Sequence, residues 1–268
     1  MTKAPADISG TNAGSKNGGT ENWAAPGKQR KPMSFPSIPL PQTLLIDADD
    51  TLWENNIYFE RAIAQFISFL DHKEHTPSQV REVLNEVERE SIRTHGYGLH
   101  SFSHSLVDTF ERLAVEPITP ALHETIRGFA NVIAEHPMEV LPEVPETLEY
   151  LAARHRLILL TKGAIPEQTG KFERSGLAKH FTAVEIVAEK NPAAYRCVID
   201  KYDLLPPATW MIGNSPKSDI NPALEAGLNA VFVPHDQTWI LEHEEVGQPL
   251  AGRRLLVVEK LSSLRAHF

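Results

Sequence analysis

The segment LLIDADDTLW (Leu44–Trp53) sets three carboxylates, Asp47, Asp49 and Asp50, within four residues at the end of an apolar run. Asp is favoured at helix N-caps and turns, which accounts for one of them. Three together point to an active site, where perturbed carboxylates cluster. In an extended chain residues i and i+2 share a face, so Asp47 and Asp49 point the same way and Ala48 turns from them. Like charges so placed repel unless a cation lies between them or one carries a proton. Further polar groups end other apolar runs. RLILLTKG delivers Thr161 and then Lys162, AVEIVAEKNPAAY places Lys190 before a helix opened by Pro192, and TWMIGNSPKSD supplies Asn214, Ser215 and Asp219. The intervals from Asp47 through Thr161 and Lys190 to Asp219 are 114, 29 and 29 residues. The acids suit Mg²⁺, which prefers hard oxygen ligands. The Thr161 hydroxyl and the Lys190 ammonium suit phosphoryl oxygens. This is equipment for phosphoryl transfer.

Such groups converge only if the strands that carry them lie side by side. The apolar runs TLLID (43–47), RLILLT (156–161), AVEIV (183–187), TWMIG (209–213), NAVFV (229–233) and RLLVV (254–258) read as strands. Most are continuously apolar, as in parallel strands covered on both faces. Helical segments such as PEQTGKFERSG, PAAYRCVIDKYD and NPALEAG separate them, and Gly176 and Gly227 stand where C-terminal caps belong. The expected fold is therefore α/β, a Rossmann-like parallel sheet with helices on both sides. Between Trp53 and about Leu141 only helices are expected, near 58–71, 78–94, 101–114 and 120–135. Residues 54–140 thus read as an inserted α-helical cap, with the core formed by 41–53 and 141–268. The charges of VREVLNEVERES in this insertion read as a solvated helix face.

Residues 1–40 carry five Lys or Arg against two acids and show no amphipathic period. They read as a disordered tail, because such a composition cannot offset its ordering entropy by burial. The remaining chain carries a net −12, the whole chain −9, which argues against a nucleic-acid partner. No apolar run reaches the roughly 20 residues that span a bilayer, and no secretory signal is evident. The expectation is a cytoplasmic protein, a monomer or homodimer, away from membranes. Cys197, the single cysteine, reads as a buried packing thiol.

Four stretches together resemble the haloacid dehalogenase superfamily of phosphatases: IDADDTL (DxDx[TV]L), LILLTKG, EKNPAAY and IGNSPKSDINPALEAG. The likeness runs from about residue 41 to the end, and the insertion resembles the helical C1 cap. The resemblance implies that Asp47 attacks phosphorus and becomes an aspartyl phosphate. It makes Asp49 the acid for the leaving oxygen and then the base for water, with Thr161 and Lys190 holding the transferring group. It also implies Mg²⁺ held by Asp47, by Asp49 through its backbone carbonyl, and by Asn214 and Asp219 of the fourth stretch. That stretch begins Gly-Asp in the family and Gly213-Asn214 here, so one ligand is an amide without charge. The implied substrate is a small phosphorylated metabolite, hydrolysed as a phosphate monoester. Alternatives are a phosphomutase of the β-phosphoglucomutase type and a catalytically weak binding protein. The namesake dehalogenases lack an Asp at the position of Asp49 and use no metal. Receiver domains lack the insertion. In the insertion, HGYGLHSFSH (His95–His104) is the stretch expected to face the site, with His100 and His104 solvated or substrate-facing. Trp53, Glu54 and Asn55 are further candidates for its lining.

Overall fold

The structure, a computed structural model, describes residues 41–114 and 117–268. The reading of residues 1–40 as a disordered tail lies outside the described residues. Six strands form one parallel sheet: β1 (Thr43–Ile46), β2 (Arg156–Lys162), β3 (Ala183–Val187), β4 (Thr209–Gly213), β5 (Asn229–Phe232) and β6 (Leu255–Val257). Their spatial order is β3-β2-β1-β4-β5-β6. Every pairing is parallel, with Leu44 opposite both Leu157 of β2 and Trp210 of β4.

The alternation of side chains explains why these runs had to be apolar throughout. Leu44, Ile46, Leu157, Leu159, Trp210 and Ile212 point to one face, where they meet Val144, Leu148, Phe172 and Phe268. Leu45, Ile158, Leu160 and Met211 point to the other, against Tyr195, Val198, Leu204 and Ala223. Each such buried aliphatic contributes roughly 1.5–3 kcal/mol. The helices over the two faces are α5 (Val144–Ala152) and α6 (Ile165–Ser175) on the first, α7 (Pro192–Tyr202) and α8 (Asn221–Glu225) on the second. α6 stops at Gly176, whose φ of 69° closes the helix in the left-handed region. The residues VPETLEYLA form α5, a helix absent from the expected set.

Between β1 and β2 the chain builds α1 (Asn56–Leu70), α2 (Pro77–His95), α3 (Leu99–Leu113) and α4 (Pro120–Glu135). α2 opens with a full capping box, Thr76 with Gln79, and Pro77 at its first position. These helices bury a core of their own, including Phe66, Leu84, Phe102, Leu106 and Ile126. The chain enters and leaves this insertion through a short antiparallel ribbon. Glu54 N–H donates to Glu139 O at 2.9 Å and Leu141 N–H to Leu52 O at 2.9 Å, around a bridge between Trp53 and Val140.

Two expectations are corrected. Cys197 is exposed, because α7 turns Tyr195 and Val198 inward and leaves position 197 on its outer side. Glu88 does not belong to a solvated face. It is only 6% exposed, since it lies on the same stripe as the buried Val80, Leu84, Val87 and Ser91. No described helix is long and apolar enough to cross a membrane.

Candidate active site

In doubly wound sheets the crevice opens where strand order reverses, beyond the carboxyl ends of the strands. Here that point lies between β1 and β4. A cavity of about 150 Å³ occupies it, with sheet residues as its floor and α1–α3 as its roof. Its floor brings together Asp47, Asp49, Thr161, Lys190, Asn214 and Asp219, all the residues singled out by spacing. Asn55 also lines it, as do Tyr97 and Gly98 of the turn between α2 and α3.

At the centre, the Lys190 ammonium donates to Asp47 Oδ1 at 2.5 Å and to Asp219 Oδ1 at 2.7 Å. The lysine is buried, with its side chain 2% exposed. Burial pushes the Asp47 carboxyl up to about 7, Asp219 adds to the rise, and Lys190 only partly opposes it. Burial likewise depresses the Lys190 ammonium, but Asp219 and Asp47 outweigh it and raise its proton affinity. Thr51 Oγ1 lies 3.0 Å from Asp47 Oδ2 and 3.2 Å from Asn214 Oδ1, and links the two. Asn214 Nδ2 donates to Thr238 Oγ1, which orients its amide oxygen toward Thr51.

Asp219 arrives by an unusual route. Pro216–Ile220 form one π-helical turn between β4 and α8, a geometry frequent at functional sites. The Ser215 N–H fixes Asp219 Oδ2 at 2.9 Å, and Tyr195 OH donates to Ser218 O at 2.9 Å from below. The carboxylate then fills the space above Gly213 where any side chain would collide with it.

Asp49 occupies a different environment. Trp53 Nε1 donates to Oδ1 at 2.7 Å, Gln168 Nε2 to Oδ2 at 2.9 Å, and the Lys171 ammonium reaches both oxygens at 3.0 and 3.1 Å. Burial alone would raise this carboxyl, yet Lys171 and the other donors overcome it and hold Asp49 below its ordinary value. Asp50 has a purely local task. With φ at 59° it turns back to accept the amide N–H groups of Asn55 and Asn56 at 2.9 and 3.0 Å, opening α1. Burial, reinforced by Asp49, pushes it up to about 7. The bland reading of an acid as a helix start thus fits Asp50, while Asp47 and Asp49 both line the cavity.

The sequence of residues 41–227 matches the family model of the haloacid dehalogenase-like hydrolases. The chain belongs to that family. Its haloacid dehalogenase-like relatives include a phosphoserine phosphatase of Thermus thermophilus, 35% identical over 101 residues. That match covers 34% of this chain and 41% of the relative, so less than half of the curated relative's length is spanned. A haloacid dehalogenase-like hydrolase from Xanthomonas campestris has the same fold with a TM-score of 0.72 and 29% identity, over 85% of this chain and 94% of that one. An L-2-haloacid dehalogenase from Xanthobacter autotrophicus shares the fold at a TM-score of 0.57 and 17% identity, over 84% and 97% of the two chains.

Several residues of this haloacid dehalogenase-like site were not legible from spacing. Gln168 and Lys171, which hold Asp49, come from α6, where PEQTGKF gave only a helix. Glu242 accepts from the Lys162 ammonium at 2.6 Å and from Ser215 Oγ at 2.6 Å, and also bonds the Ser218 hydroxyl. Lys162 lies over the Tyr97 ring at 4.2 Å, and Tyr97 OH donates to Glu189 Oε2 at 2.6 Å. Leu99 N–H meets Glu167 Oε2 at 2.9 Å. The HGYG turn is therefore docked on the floor. His100 and His104 are not part of the lining. They turn away and pack on His95, with ring centroids 6.0 and 4.8 Å from it. Trp53 is buried beneath Asp49 and Glu54 faces His235.

The oxygen set on the floor fits a hard dication. Two carboxylates, Asp47 and Asp219, gather around one ammonium, and the Asn214 amide oxygen is tied to Asp47 through the Thr51 hydroxyl. Asp50, Glu54 and His235 also offer ligand atoms within 4.8 Å of one another, but the Asp50 carboxylate is already used by two backbone N–H groups.

Proposed function

We propose that this protein is a Mg²⁺-dependent phosphatase of small phosphate monoesters that works through an aspartyl phosphate on Asp47. The observation that carries the reading is the contrast between two carboxylates on one floor. Asp47 shares a buried ammonium with Asp219, while Asp49 is held apart by Lys171, Gln168 and Trp53. Two carboxylates in unlike environments are the arrangement that separates a nucleophile from an acid–base group.

In the first step an oxygen of Asp47 bonds to phosphorus, the ester P–O bond breaks, and Asp49 gives its proton to the departing alkoxide. In the second, Asp49 takes a proton from water, the water oxygen bonds to phosphorus, and the Asp47–phosphorus linkage breaks. Thr161 and Lys190 hold the equatorial oxygens and balance their charge. Mg²⁺, held by Asp47, Asp219, Asn214 and the Asp49 carbonyl, would supply the remaining positive charge. The contact with Lys171 keeps Asp49 ionised, the form the second step uses. A phosphoryl group beside Lys171 offers that ammonium a second anion and loosens its hold, so that Asp49 can carry the proton of the first step. The α1–α4 insertion serves as a cap that excludes water and selects the leaving group.

The phosphoserine phosphatase relative supports phosphate chemistry, and the occupied Asp49 position argues against carbon–halogen cleavage. A phosphomutase would use the same residues, and release of inorganic phosphate rather than transfer to a second hydroxyl separates the two. The decisive experiment is hydrolysis of p-nitrophenyl phosphate with Mg²⁺ by the full chain and by Asp47→Asn. Turnover should fall at least ~10⁴-fold in the variant, with an unchanged circular dichroism spectrum. Undiminished hydrolysis by a folded variant would refute the reading.

A further inference from the structure

The roof of the cavity contains a group that no step above uses. Glu88, on α2, lines the cavity and is 6% exposed. The Trp239 side chain, from the loop after β5, hydrogen-bonds its carboxyl. Its Oε2 atom has no partner. A buried carboxylate oxygen left unpaired costs of the order of 1–3 kcal/mol or more, so its retention needs a reason.

No neighbour hydrogen-bonds this oxygen, although Arg81 and Arg89 lie near enough to favour the charged carboxylate. Arg81, on the same helix, is taken by Glu60 in a bidentate pair at 2.6 and 2.7 Å. The two serines of the roof are also engaged: Ser105 Oγ donates to Ser101 O, and Ser101 Oγ pairs with Ser91 Oγ. The roof side of the cavity also carries the apolar Phe59, Ile63, Ile92 and Phe102. A half-satisfied carboxyl in the cavity wall is placed to take a donor that enters the cavity.

Charge identifies what enters. The cavity is lined by seven carboxylates and three lysines, with no arginine. All three lysines are committed: Lys190 to Asp47 and Asp219, Lys171 to Asp49, and Lys162 to Glu242. A dication on the floor offsets the acids there and leaves Glu88 without a cationic partner inside the cavity. A hydroxyl would fill the hydrogen-bond vacancy without the charge, and a carboxylate on the leaving group would find no free cation.

We propose that Glu88 selects the leaving group by binding an ammonium, so that the substrate class is the phosphate monoester of an amino alcohol. This rests on the phosphatase reading above. The ester's phosphoryl end lies at Asp47, and its amine reaches across the cavity to the roof. Burial pushes the Glu88 carboxyl up to about 7, and a bound ammonium would return it to the ionised form.

The test pairs charged and neutral ligands of equal shape. Calorimetric binding of ω-aminoalkyl phosphonates and the matching alkyl phosphonates, two to five carbons long, is measured on the full chain with Mg²⁺. Hydrolysis of the corresponding phosphate esters is followed alongside. At one chain length the amine should bind at least ~10-fold tighter than its alkyl counterpart, the worth of one charged hydrogen bond. Glu88→Gln should bring that ratio within about twofold. Glu88→Asp, shorter by one methylene, should shift the best amine to a chain one carbon longer, and it decides the matter if the Gln variant does not fold. Ratios near one at every length in the natural protein, or a preference that survives Glu88→Gln, would overturn the assignment. A binding preference without hydrolysis of any ester would sustain the role of Glu88 and defeat the phosphatase reading instead.

Discussion

Glu88 also makes a prediction about stability that needs no substrate. Its carboxyl rises from an ordinary 4.5 to about 7 on folding, chiefly through burial. Each tenfold change in proton affinity is worth about 1.4 kcal/mol, which gives about 3 kcal/mol for this group. The sign follows from linkage. Below about pH 4.5 the carboxyl is protonated in both states and nothing is lost. As pH rises toward 7 the unfolded chain releases the proton and the folded chain keeps it, so the stabilising contribution drains away and is gone above about 7. Glu88→Gln stays neutral throughout. The variant should match the natural protein near pH 5 and exceed it by up to about 3 kcal/mol at pH 8. For a folded region of this size that is roughly 6–12 °C in Tm. Scanning calorimetry of both proteins from pH 5 to 8.5, without added ligand, reads the difference directly. Two Tm curves that run parallel across this range would show that Glu88 ionises normally, and the reasoning from its burial would fail.

The buried ammonium and the cramped glycine yield two more expectations. Lys190→Met leaves Asp47 and Asp219 facing each other without a cation, and should cost roughly 3–5 kcal/mol in urea unfolding with EDTA. Millimolar Mg²⁺ should recover part of that loss, and no recovery would place the cation elsewhere. Gly213→Ala drives a methyl group into the Asp219 carboxylate and should cost about 1–3 kcal/mol. The same change should raise the Mg²⁺ concentration needed for half-maximal turnover, and an unaltered requirement would mean that Asp219 is not a ligand.

What could be read from the chain, and what could not, divides along a physical line. A parallel strand covered on both faces must be apolar at every position, so TLLI, RLILL and TWMI announced themselves, and the residues that end them are fixed by the same geometry. Asp47, Thr161, Lys190, Asn214 and Asp219 were therefore legible as a set. Partners brought by a neighbouring helix were not. Nothing in PEQTGKF says that Gln168 and Lys171 will close on Asp49, because that depends on how α6 lies across β2. The four helices of the insertion were placed to within about two residues by their periodicity. Yet the same periodicity put Glu88 on the stripe of Val80, Leu84 and Ser91, and its charge alone led to the solvated reading. His100 is exposed, which fits the solvated half of its reading and not the substrate-facing half. Its stretch does face the cavity, through Tyr97, Ser101 and Phe102, but the turn of α3 carries position 100 away.

The ribbon at Trp53 and Val140 has a consequence for the order in which the molecule folds. β1 and β2 are neighbours in the sheet, with Thr43 opposite Arg156, yet the whole insertion lies between them. While the insertion is unfolded, joining the two strands closes a loop of 109 residues, 47–155. Once α1–α4 have formed and the ribbon has joined Trp53 to Val140, only about 23 residues, 47–53 and 140–155, remain to be closed. Since closure cost grows as about (3/2)RT ln n, this shortening is worth about 1.4 kcal/mol toward pairing the central strands. The insertion, whose contacts are local and which leaves the ribosome before β2, should fold first. φ-values should accordingly be higher at Leu84 and Leu106 than at Leu45 and Ile158. The segment proposed to select the leaving group would then also be the piece that eases pairing of the central strands during assembly.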